Sequence, residues 1–333
     1  MEAVKIRQTE FSDFEALRDA VQDGASEIVQ LERGPIIGKL AHFSVGSVGI
    51  STGNFTRGVR QRGVLSESRW TFGIIAAPAK MLHFEMAPGD LLMLAPGHEL
   101  YSSFSSANNY SATLVEPEEL SAFLATQPGA QDAAAWRQSA MVLSGDQAAA
   151  TAAQFSTLLT TIGERGATMS GEAADFYKRN ILELLTAPVR ASANYQGPRL
   201  KSAAALVRKV DRFLIEAGTR PVHISELCAE FDVPRRSLHR AFIEVLGVSP
   251  MQFFRRKRLG DAHTALLMAT PGVTITGIAI EHGFADVGRF AKEYRLLFGE
   301  LPSETLRRRN IIGARSDITF LDFPTLAEQY GKG

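Results

Sequence analysis

Hydrophobic residues follow two different periods along this chain of 333 residues. Between residues 35 and 115 the apolar runs are short, contain glycine and are separated by turns, as in GKLAHFSVGSVGIST, WTFGIIAAP and PGDLLMLAPGHELYSSF. Closely spaced short strands favour a β-sandwich or a β-barrel. Residues 116–187 are rich in Ala, Glu and Leu, and Phe155, Leu159 and Ile162 have helical spacing. The pattern therefore predicts a β-rich segment followed by flanking helices.

A segment without periodicity follows these helices. Residues 187–200, APVRASANYQGPRL, contain Pro, Gly, Asn and Ser and are predicted to form a linker. Residues 201–310 contain seven helix-sized segments, and residues 311–333 show no clear element and are predicted to be a tail. We therefore expect a first domain over residues 1–190 and a helical second domain. Capping residues support the predicted helix ends: Gly218, Gly247, Gly283 and Gly299 at C-termini, and Ser249 and Asp286 at N-termini.

Two stretches of the second domain repeat one pattern. FDVPRRSLHRAFIEVLGVSP, residues 231–250, and GFADVGRFAKEYRLLFGELP, residues 283–302, place equivalent residues 52 positions apart, such as Arg240 and Lys292. A shorter helix precedes each stretch and contains a small residue, Cys228 or Ala279. Small residues let two helices cross closely, so each stretch predicts a helix-turn-helix unit.

The formal net charge of zero conceals an uneven distribution along the chain. Residues 199–310 contain 19 Lys and Arg against 12 Asp and Glu, whereas residues 1–198 contain 15 against 21. A basic module attached to an acidic one is typical of proteins that bind nucleic acid. The charge pattern therefore places a nucleic-acid interface in the second domain.

Composition also predicts the cellular compartment. The hydrophobic fraction is 45%, yet no apolar run approaches the roughly 18 residues that span a bilayer. The N-terminal sequence lacks the apolar core of a signal peptide, and a single cysteine excludes an internal disulfide. We therefore expect a cytoplasmic protein, in which Cys228 packs in the core.

The second domain closely resembles the AraC/XylS-type DNA-binding domain over residues 203–309. The matching stretches are SLHRAF with LGVSP, the helix that follows, and IAIEHGFADVGRFAKEYRLLFGELPSETLR. The resemblance implies seven helices, two helix-turn-helix units and a central linker helix. It also implies a bacterial transcription regulator with an N-terminal sensor and dimerisation domain. The expected partners are promoter or operator DNA, a second copy of the chain, a small-molecule effector and RNA polymerase.

The resemblance assigns DNA contacts to the second helix of each unit, whose basic residues suit the major groove. Two such helices could enter successive major grooves, about 34 Å apart. In the first unit the positions fall on Arg235, Arg236, Ser237, His239 and Arg240. In the second unit they fall on Val287, Gly288, Arg289 and Lys292.

The sequence departs from the family pattern at these helices. Pro234 supplies no capping oxygen, and Asp232 replaces the usual turn glycine. The side chains of Val287 and Gly288 form no hydrogen bonds, so the second unit is expected to contact mainly phosphate. The basic run Arg255, Arg256, Lys257 and Arg258 on the linker helix leaves two interpretations open: contacts with the DNA backbone, or structural ion pairs.

The first domain has a more distant likeness. PGDLLMLAPGHEL resembles the strand–turn–strand of small cupin-like barrels, and residues 35–120 are weakly similar to sensor domains of the ethanolamine-regulator branch. The expected fold is multidomain α+β: an N-terminal cupin-like β-barrel with flanking helices and a C-terminal all-α domain. An apolar effector pocket with charged anchors is assigned to Phe43, Arg60, Arg69, Trp70 and Phe72, although ordinary core packing also explains the aromatic residues.

Two other functions remain open on the sequence. A cupin-type metal enzyme tethered to DNA would need clustered metal ligands, but His42, His83 and His98 are scattered. No catalytic residue, metal site or cofactor is therefore predicted. An architectural DNA binder would bend DNA without strong sequence preference. The sequence does not identify the effector, the operator or the direction of regulation.

Overall fold

The computed structural model describes residues 4–11, 26–81, 85–104, 108–127, 136, 138–192, 202–218 and 220–308. The predicted tail lies outside the described residues, as does most of the predicted linker. Strands occupy the first part of the chain, and the second part is helical. The expected combination of a sheet-rich N-terminal domain and a helical C-terminal domain is therefore confirmed.

Twelve strands in the described residues form two antiparallel sheets. Their bounds are β1 Val4–Phe11, β2 Ser26–Gln30, β3 Gly38–Val45, β4 Val48–Phe55, β5 Val59–Val64, β6 Trp70–Ile75, β7 Ala79–Met81, β8 Glu85–Met86, β9 Leu91–Leu94, β10 Glu99–Phe104, β11 Asn108–Val115 and β12 Ala140–Leu143. The seven-stranded sheet has the order β1-β3-β4-β11-β6-β9-β12, and the five-stranded sheet has the order β2-β5-β10-β7-β8. Strands β1, β2 and β12 lie outside the segment that the sequence predicted to be β-rich.

The two sheets pack against each other without closing into a barrel within the described residues. Strand β9 shows how the central strands are covered on both sides. Leu92 and Leu94 point into the core between the sheets, and Leu91 and Met93 point into the core beneath the helices. All four side chains are buried, because successive residues of a strand face opposite sides.

Three helices cover the outer face of the seven-stranded sheet: α1 Pro117–Ala125, α2 Asp146–Arg165 and α3 Gly171–Ala191. Phe155 and Ile162 of α2 and Leu185 of α3 are buried there with the inner residues of the sheet. Helix α3 continues beyond residue 187, where the linker was expected to begin. Val189 is completely buried, so its packing holds the last turn in place despite Pro188 within the helix.

The second domain contains seven helices among its described residues, as the sequence predicted. They are α4 Ser202–Glu216, α5 Ile224–Glu230, α6 Arg235–Leu246, α7 Pro250–Leu267, α8 Ile275–Glu281, α9 Val287–Phe298 and α10 Pro302–Arg308. The predicted caps are present: Ser249 forms a capping box with Gln252, and Asp286 accepts the backbone N–H of Arg289. Gly247 and Gly299 take left-handed conformations at the ends of α6 and α9.

Helix α7 joins two hydrophobic cores, one for each helical unit. Phe253 and Phe254 pack with the residues of α5 and α6, whereas Leu259 and Leu266 pack with those of α8 and α9. The apolar stripes predicted for α6 and α9 are buried in these cores: Leu238, Phe242 and Val245, and Phe290, Tyr294 and Leu297. No helix within the described ranges is long and apolar enough to cross a membrane.

Candidate functional site

The first helix-turn-helix unit consists of α5, a four-residue turn and α6. Asp232 adopts a positive φ of 47° in this turn, which its short polar side chain tolerates. The backbone N–H of Val233 donates to the carbonyl oxygen of Cys228 at 3.0 Å and closes the turn. Pro234 stands at the N-cap of α6 and provides no side-chain hydrogen bond to the helix. The turn is therefore intact, although Asp232 and Pro234 depart from the family pattern.

The second unit consists of α8, a turn one residue longer and α9. Gly283 has a φ of 76°, and the N–H of Phe284 donates to the carbonyl oxygen of Ala279 at 2.8 Å. A Cβ atom at Gly283 would lie 2.8 Å from Nη1 of Arg258 and 3.2 Å from Pro221. Glycine is therefore required here both by the backbone conformation and by the neighbouring side chains.

The side chains assigned to DNA in the first unit share the outer face of α6. Arg235, Arg236, His239 and Arg240 are exposed, and Ser237 is half-buried. Within the described residues, the three arginines form no ion pair. Unpaired guanidinium groups at a helix N-terminal half can form bidentate contacts with guanine or phosphate. The face of α6 is therefore chemically suited to the edges of bases.

The outer face of α9 exposes fewer hydrogen-bonding groups than the outer face of α6. Gly288, Arg289 and Lys292 are exposed, while Val287 is half-buried against the core between α8 and α9. Nε of Arg289 donates to Glu293 Oε1 at 3.0 Å, so part of its charge is already compensated. The second unit thus presents less hydrogen-bonding capacity than the first.

The four basic residues of the linker helix have partners inside the protein. Arg255 lies 3.2 Å from Glu293, Lys257 pairs with Glu27, and Arg256 donates to the carbonyl oxygen of Leu31. Arg258 donates to the carbonyl oxygen of Gly283 at 3.1 Å and lies over the ring of Phe284. Of the two interpretations left open by the sequence, these contacts support the structural one.

A cavity of about 100 Å³ lies between the two sheets of the first domain. It is lined mostly by apolar side chains from both sheets, among them Phe55, Val59, Leu92, Leu100 and Phe104. None of the five residues assigned to the effector pocket lines this cavity. Phe43 and Phe72 are buried beneath the helices, Trp70 packs against Trp136, Arg69 lies 3.7 Å from Glu116, and Arg60 faces the second domain.

Along β5 and β6, the residues that line the cavity alternate with the residues assigned to the pocket from the sequence. Thr71 and Gly73 line the cavity, whereas Trp70 and Phe72 between them point to the other side of β6. Val59 and Gln61 of β5 line it too, whereas Arg60 points away. Because side chains alternate between the faces of a strand, neighbouring residues of one strand face opposite sides of the sheet.

The outer face of β5 contacts the second domain. Arg60 is completely buried and lies 3.0 Å from Asp211 of α4 and 2.8 Å from Glu27 of β2. Its guanidinium also lies over the rings of Tyr101 and Phe253. Burial acts to raise the pKa of Glu27, but the charges of Arg60 and Lys257 outweigh it and hold that pKa at about 2. A charged network therefore joins the domains.

The first domain also contacts the C-terminal ends of α6 and α9. Nζ of Lys80 donates to the carbonyl oxygen of Glu244 at 2.6 Å. The side-chain amide of Gln30 and the backbone N–H of Gly34 donate to the carbonyl oxygen of Leu297 at 2.8 and 3.0 Å. Carbonyl groups in the last turn of a helix lack partners within that helix. The first domain supplies them, so it helps to fix the position of both outward-facing helices.

Two helix-turn-helix units joined by one helix define a double helix-turn-helix module. Residues 227–308 match a family described as "Helix-turn-helix domain". The XylDLEGF operon transcriptional activator 2 of Pseudomonas putida is 35% identical over 99 residues, or 29% of this chain and 63% of that protein. The probable thc operon regulatory protein of Rhodococcus erythropolis is 37% identical over 103 residues, or 31% of each chain. The second domain is therefore an AraC/XylS-type helix-turn-helix domain.

Solved structures that are similar to this chain are known as well. A probable AraC family transcriptional regulator from Rhodopseudomonas palustris CGA009 is 44% identical, covers 32% of this chain and 97% of that chain, and has a TM-score of 0.30. The AraC-like transcriptional activator CuxR is 15% identical, covers 78% and 96%, and has a TM-score of 0.40. Among curated relatives, the match spans 63% of the P. putida activator 2 and 31% of the R. erythropolis protein.

Proposed function

We propose that this protein is a sequence-specific DNA-binding transcription regulator whose first domain binds a small-molecule effector. The observation that carries the proposal is the exposed outer face of α6, where Arg235, Arg236 and Arg240 lie free of ion pairs within the described residues. A second outward-facing helix, α9, presents Arg289 and Lys292. The first helix is proposed to contact bases and the second mainly phosphate.

The proposed effector site is the cavity between the sheets rather than the pocket assigned from the sequence. Strand β5 separates the cavity from the second domain: Val59 and Gln61 face the cavity, and Arg60 faces Asp211. An effector that binds better in one arrangement of β5 would shift the contacts with the second domain. By linkage, the effector would then change the affinity for DNA, and DNA would change the affinity for the effector by the same factor.

The proposal extends to assembly and location. We propose a homodimer formed through α2 and α3, where the ring of Phe176 is exposed and stands edge-on to Tyr177. A strict monomer in analytical ultracentrifugation would refute the proposed dimer.

The P. putida relative is named a transcriptional activator, which supports RNA polymerase as a further partner. We propose a cytoplasmic location, since a transcription regulator acts where its promoter DNA lies.

Chemical footprinting on a site selected from a random DNA pool tests the proposed arrangement. The full-length protein should protect guanines in two successive major grooves, with centres about 10.5 base pairs apart for each copy of the chain. Arg240→Ala should remove protection of one guanine in one groove and leave the other groove protected. Protection spread evenly along the duplex, with no site enriched by selection, would favour an architectural role instead.

The enzyme alternative has no support in the parts of the chain that the structure describes. There, no group of three or more His, Cys, Asp or Glu side chains lies close enough to hold a metal ion. Nδ1 of His42 is hydrogen-bonded to the hydroxyl of Ser51 at 2.7 Å. The relatives named above are regulators, which supports a non-catalytic function. Elemental analysis that found stoichiometric metal in the purified protein would reopen this alternative.

A further inference from the structure

The cavity between the sheets contains no charged side chain in its wall. Of the sixteen lining residues, ten are aliphatic or phenylalanine, and the polar ones carry only hydroxyl or amide groups: Ser51, Gln61, Thr71, Tyr110 and Ser111. An ionised group placed there would lose its hydration without gaining a counter-ion. The lining therefore selects against charged ligands.

The nearest arginines of the wall point away from the cavity and are already paired. On β5, Arg60 binds Asp211 and Glu27, and Arg62 donates to Glu99 at 2.8 Å. Both lie on the face opposite to Val59 and Gln61. A ligand carboxylate could reach them only if β5 turned over or if the contact between the domains were broken.

The pKa of Tyr110 indicates that no cation lies near its hydroxyl group. Its ring belongs to the cavity wall and lies 6.3 Å from the ring of Phe55. Burial raises the pKa of the Tyr110 phenol to about 12, and no charged group contributes to that shift. A cation at the cavity would have lowered the pKa of this phenol. The hydroxyl therefore remains a neutral hydrogen-bonding group.

The size of the cavity limits the ligand further. A dry cavity of about 150 Å³ lined by Leu, Ile and Phe holds one benzene molecule. The space between the sheets is about 100 Å³ and has a similar apolar wall. Gly73 contributes to this space, because a Cβ atom there would lie 3.5 Å from Leu92 and would begin to fill it. A single ring or a short branched chain is the appropriate size.

We infer that the effector is an uncharged, mainly apolar molecule about the size of one ring, with one hydroxyl or carbonyl group at most. The inference rests on the proposed function, since it names the ligand class of the proposed effector site. A carboxylate of the same shape is selected against, because none of the lining side chains is a cation. The hydroxyl groups of Thr71 and Tyr110 suit a neutral hydrogen-bonding group.

Titration calorimetry of the full-length protein without DNA tests the ligand class. The neutral probes are 4-methylphenol, cyclohexanone and toluene, and the charged probe is benzoate, all at pH 7. We expect at least one neutral probe to bind at least about tenfold more tightly than benzoate. Benzoate binding as tightly as the best neutral probe, or no neutral probe binding up to its solubility limit, would overturn the inference.

Two variants place the bound probe in the cavity. Ala112→Leu fills the space from β11, and Gly73→Ala is a milder filling that guards against misfolding of the first variant. Thr113→Val is the matched control, because this buried residue lies on the other face of β11 and the change conserves volume. Both filling variants should weaken probe binding, by about tenfold or more for Ala112→Leu, whereas the control should not change it. Equal binding by all three would overturn the assignment.

The experiments distinguish a failure of the ligand class from a failure of the proposed function. Site-specific DNA binding without any neutral-probe binding would refute only the ligand class. Probe binding in the cavity without site-specific DNA binding would refute the proposed function and leave the ligand class intact. Calorimetry and DNA binding are therefore measured on the same preparation.

Discussion

The guanidinium of Arg60 in β5 lies 3.0 Å from the carboxylate of Asp211 in α4, and both side chains are completely buried between the two domains. The pair lies directly behind the strand whose other face lines the cavity. Replacing a buried pair by apolar residues is often neutral, whereas removing one partner leaves a buried charge without compensation. Losing one of these two side chains should therefore cost more stability than replacing both.

Asp211→Ala should destabilise the full-length protein by about 3–5 kcal/mol in urea unfolding, because Arg60 would remain buried with one partner fewer. The double variant Arg60→Met with Asp211→Leu should recover part of this loss, since Glu27 loses Arg60 but keeps Lys257 as a partner. Arg220→Ala, which removes an exposed ion pair with Glu226, is the control and should leave the midpoint unchanged. A double variant no more stable than Asp211→Ala would show that the pair does not act as a unit.

The network should also produce a defined pH dependence. The pKa of Glu27 is about 2 in the folded protein against 4.5 ordinarily, so its stabilising effect is complete above about 4.5 and is lost as the pH falls towards 2. Glu27→Gln should lower the free energy of unfolding by up to about 3 kcal/mol at pH 7. The difference between the two proteins should shrink below pH 4.5. A difference that stays constant down to pH 3 would contradict the assigned pKa.

Basic residues on the two outward-facing helices should differ in effect. Arg240→Ala should cost about 1–3 kcal/mol on a selected site and relax discrimination at one base pair. Lys292→Ala should weaken binding to all sequences similarly and reduce the salt dependence by about one phosphate contact. Arg179→Ala, an exposed residue of α3 in the first domain, controls for net charge. Equal losses on selected and scrambled DNA for Arg240→Ala would refute base contact by this residue.

Two glycine-to-alanine changes should have opposite signs. Gly283→Ala forces a side chain into a positive φ and against Arg258, so it should destabilise the protein by about 1 kcal/mol or more. Gly260 lies inside α7 with open space around its Cβ position, so Gly260→Ala should stabilise it by about 0.5–1 kcal/mol. Thermal unfolding of both variants measures the contrast. A tolerated Gly283→Ala would mean that the second turn does not require this conformation.

The helical domain was predictable because its signals are local. The capping residues Ser249 and Asp286, the turn residue Gly283 and the spacing of Leu238 and Phe242 each act within a few positions of the chain. Local signals of this kind fix helix ends and buried faces without reference to distant residues. The helices of the second domain and the exposed face of α6 could therefore be predicted from these local signals.

The first domain and the contact between the domains were less predictable for the opposite reason. Arg60 and Asp211 are 151 positions apart, and their pairing leaves no local pattern. In the strands, alternation indicates that two faces exist without indicating which one meets the cavity, so Trp70 was assigned in place of Thr71. Strand β12 returns to β9 from beyond helix α1, a long-range pairing that short-range periodicity does not reveal.

The most direct measurement is the fluorescence anisotropy of a labelled DNA duplex titrated with the full-length protein. The duplex carries a selected site or its scrambled sequence, and each is titrated at two salt concentrations. We predict at least about 1,000-fold tighter binding to the selected site at the higher salt, and release of the scrambled duplex. Equal affinity for both duplexes at both salt concentrations would contradict a sequence-specific regulator.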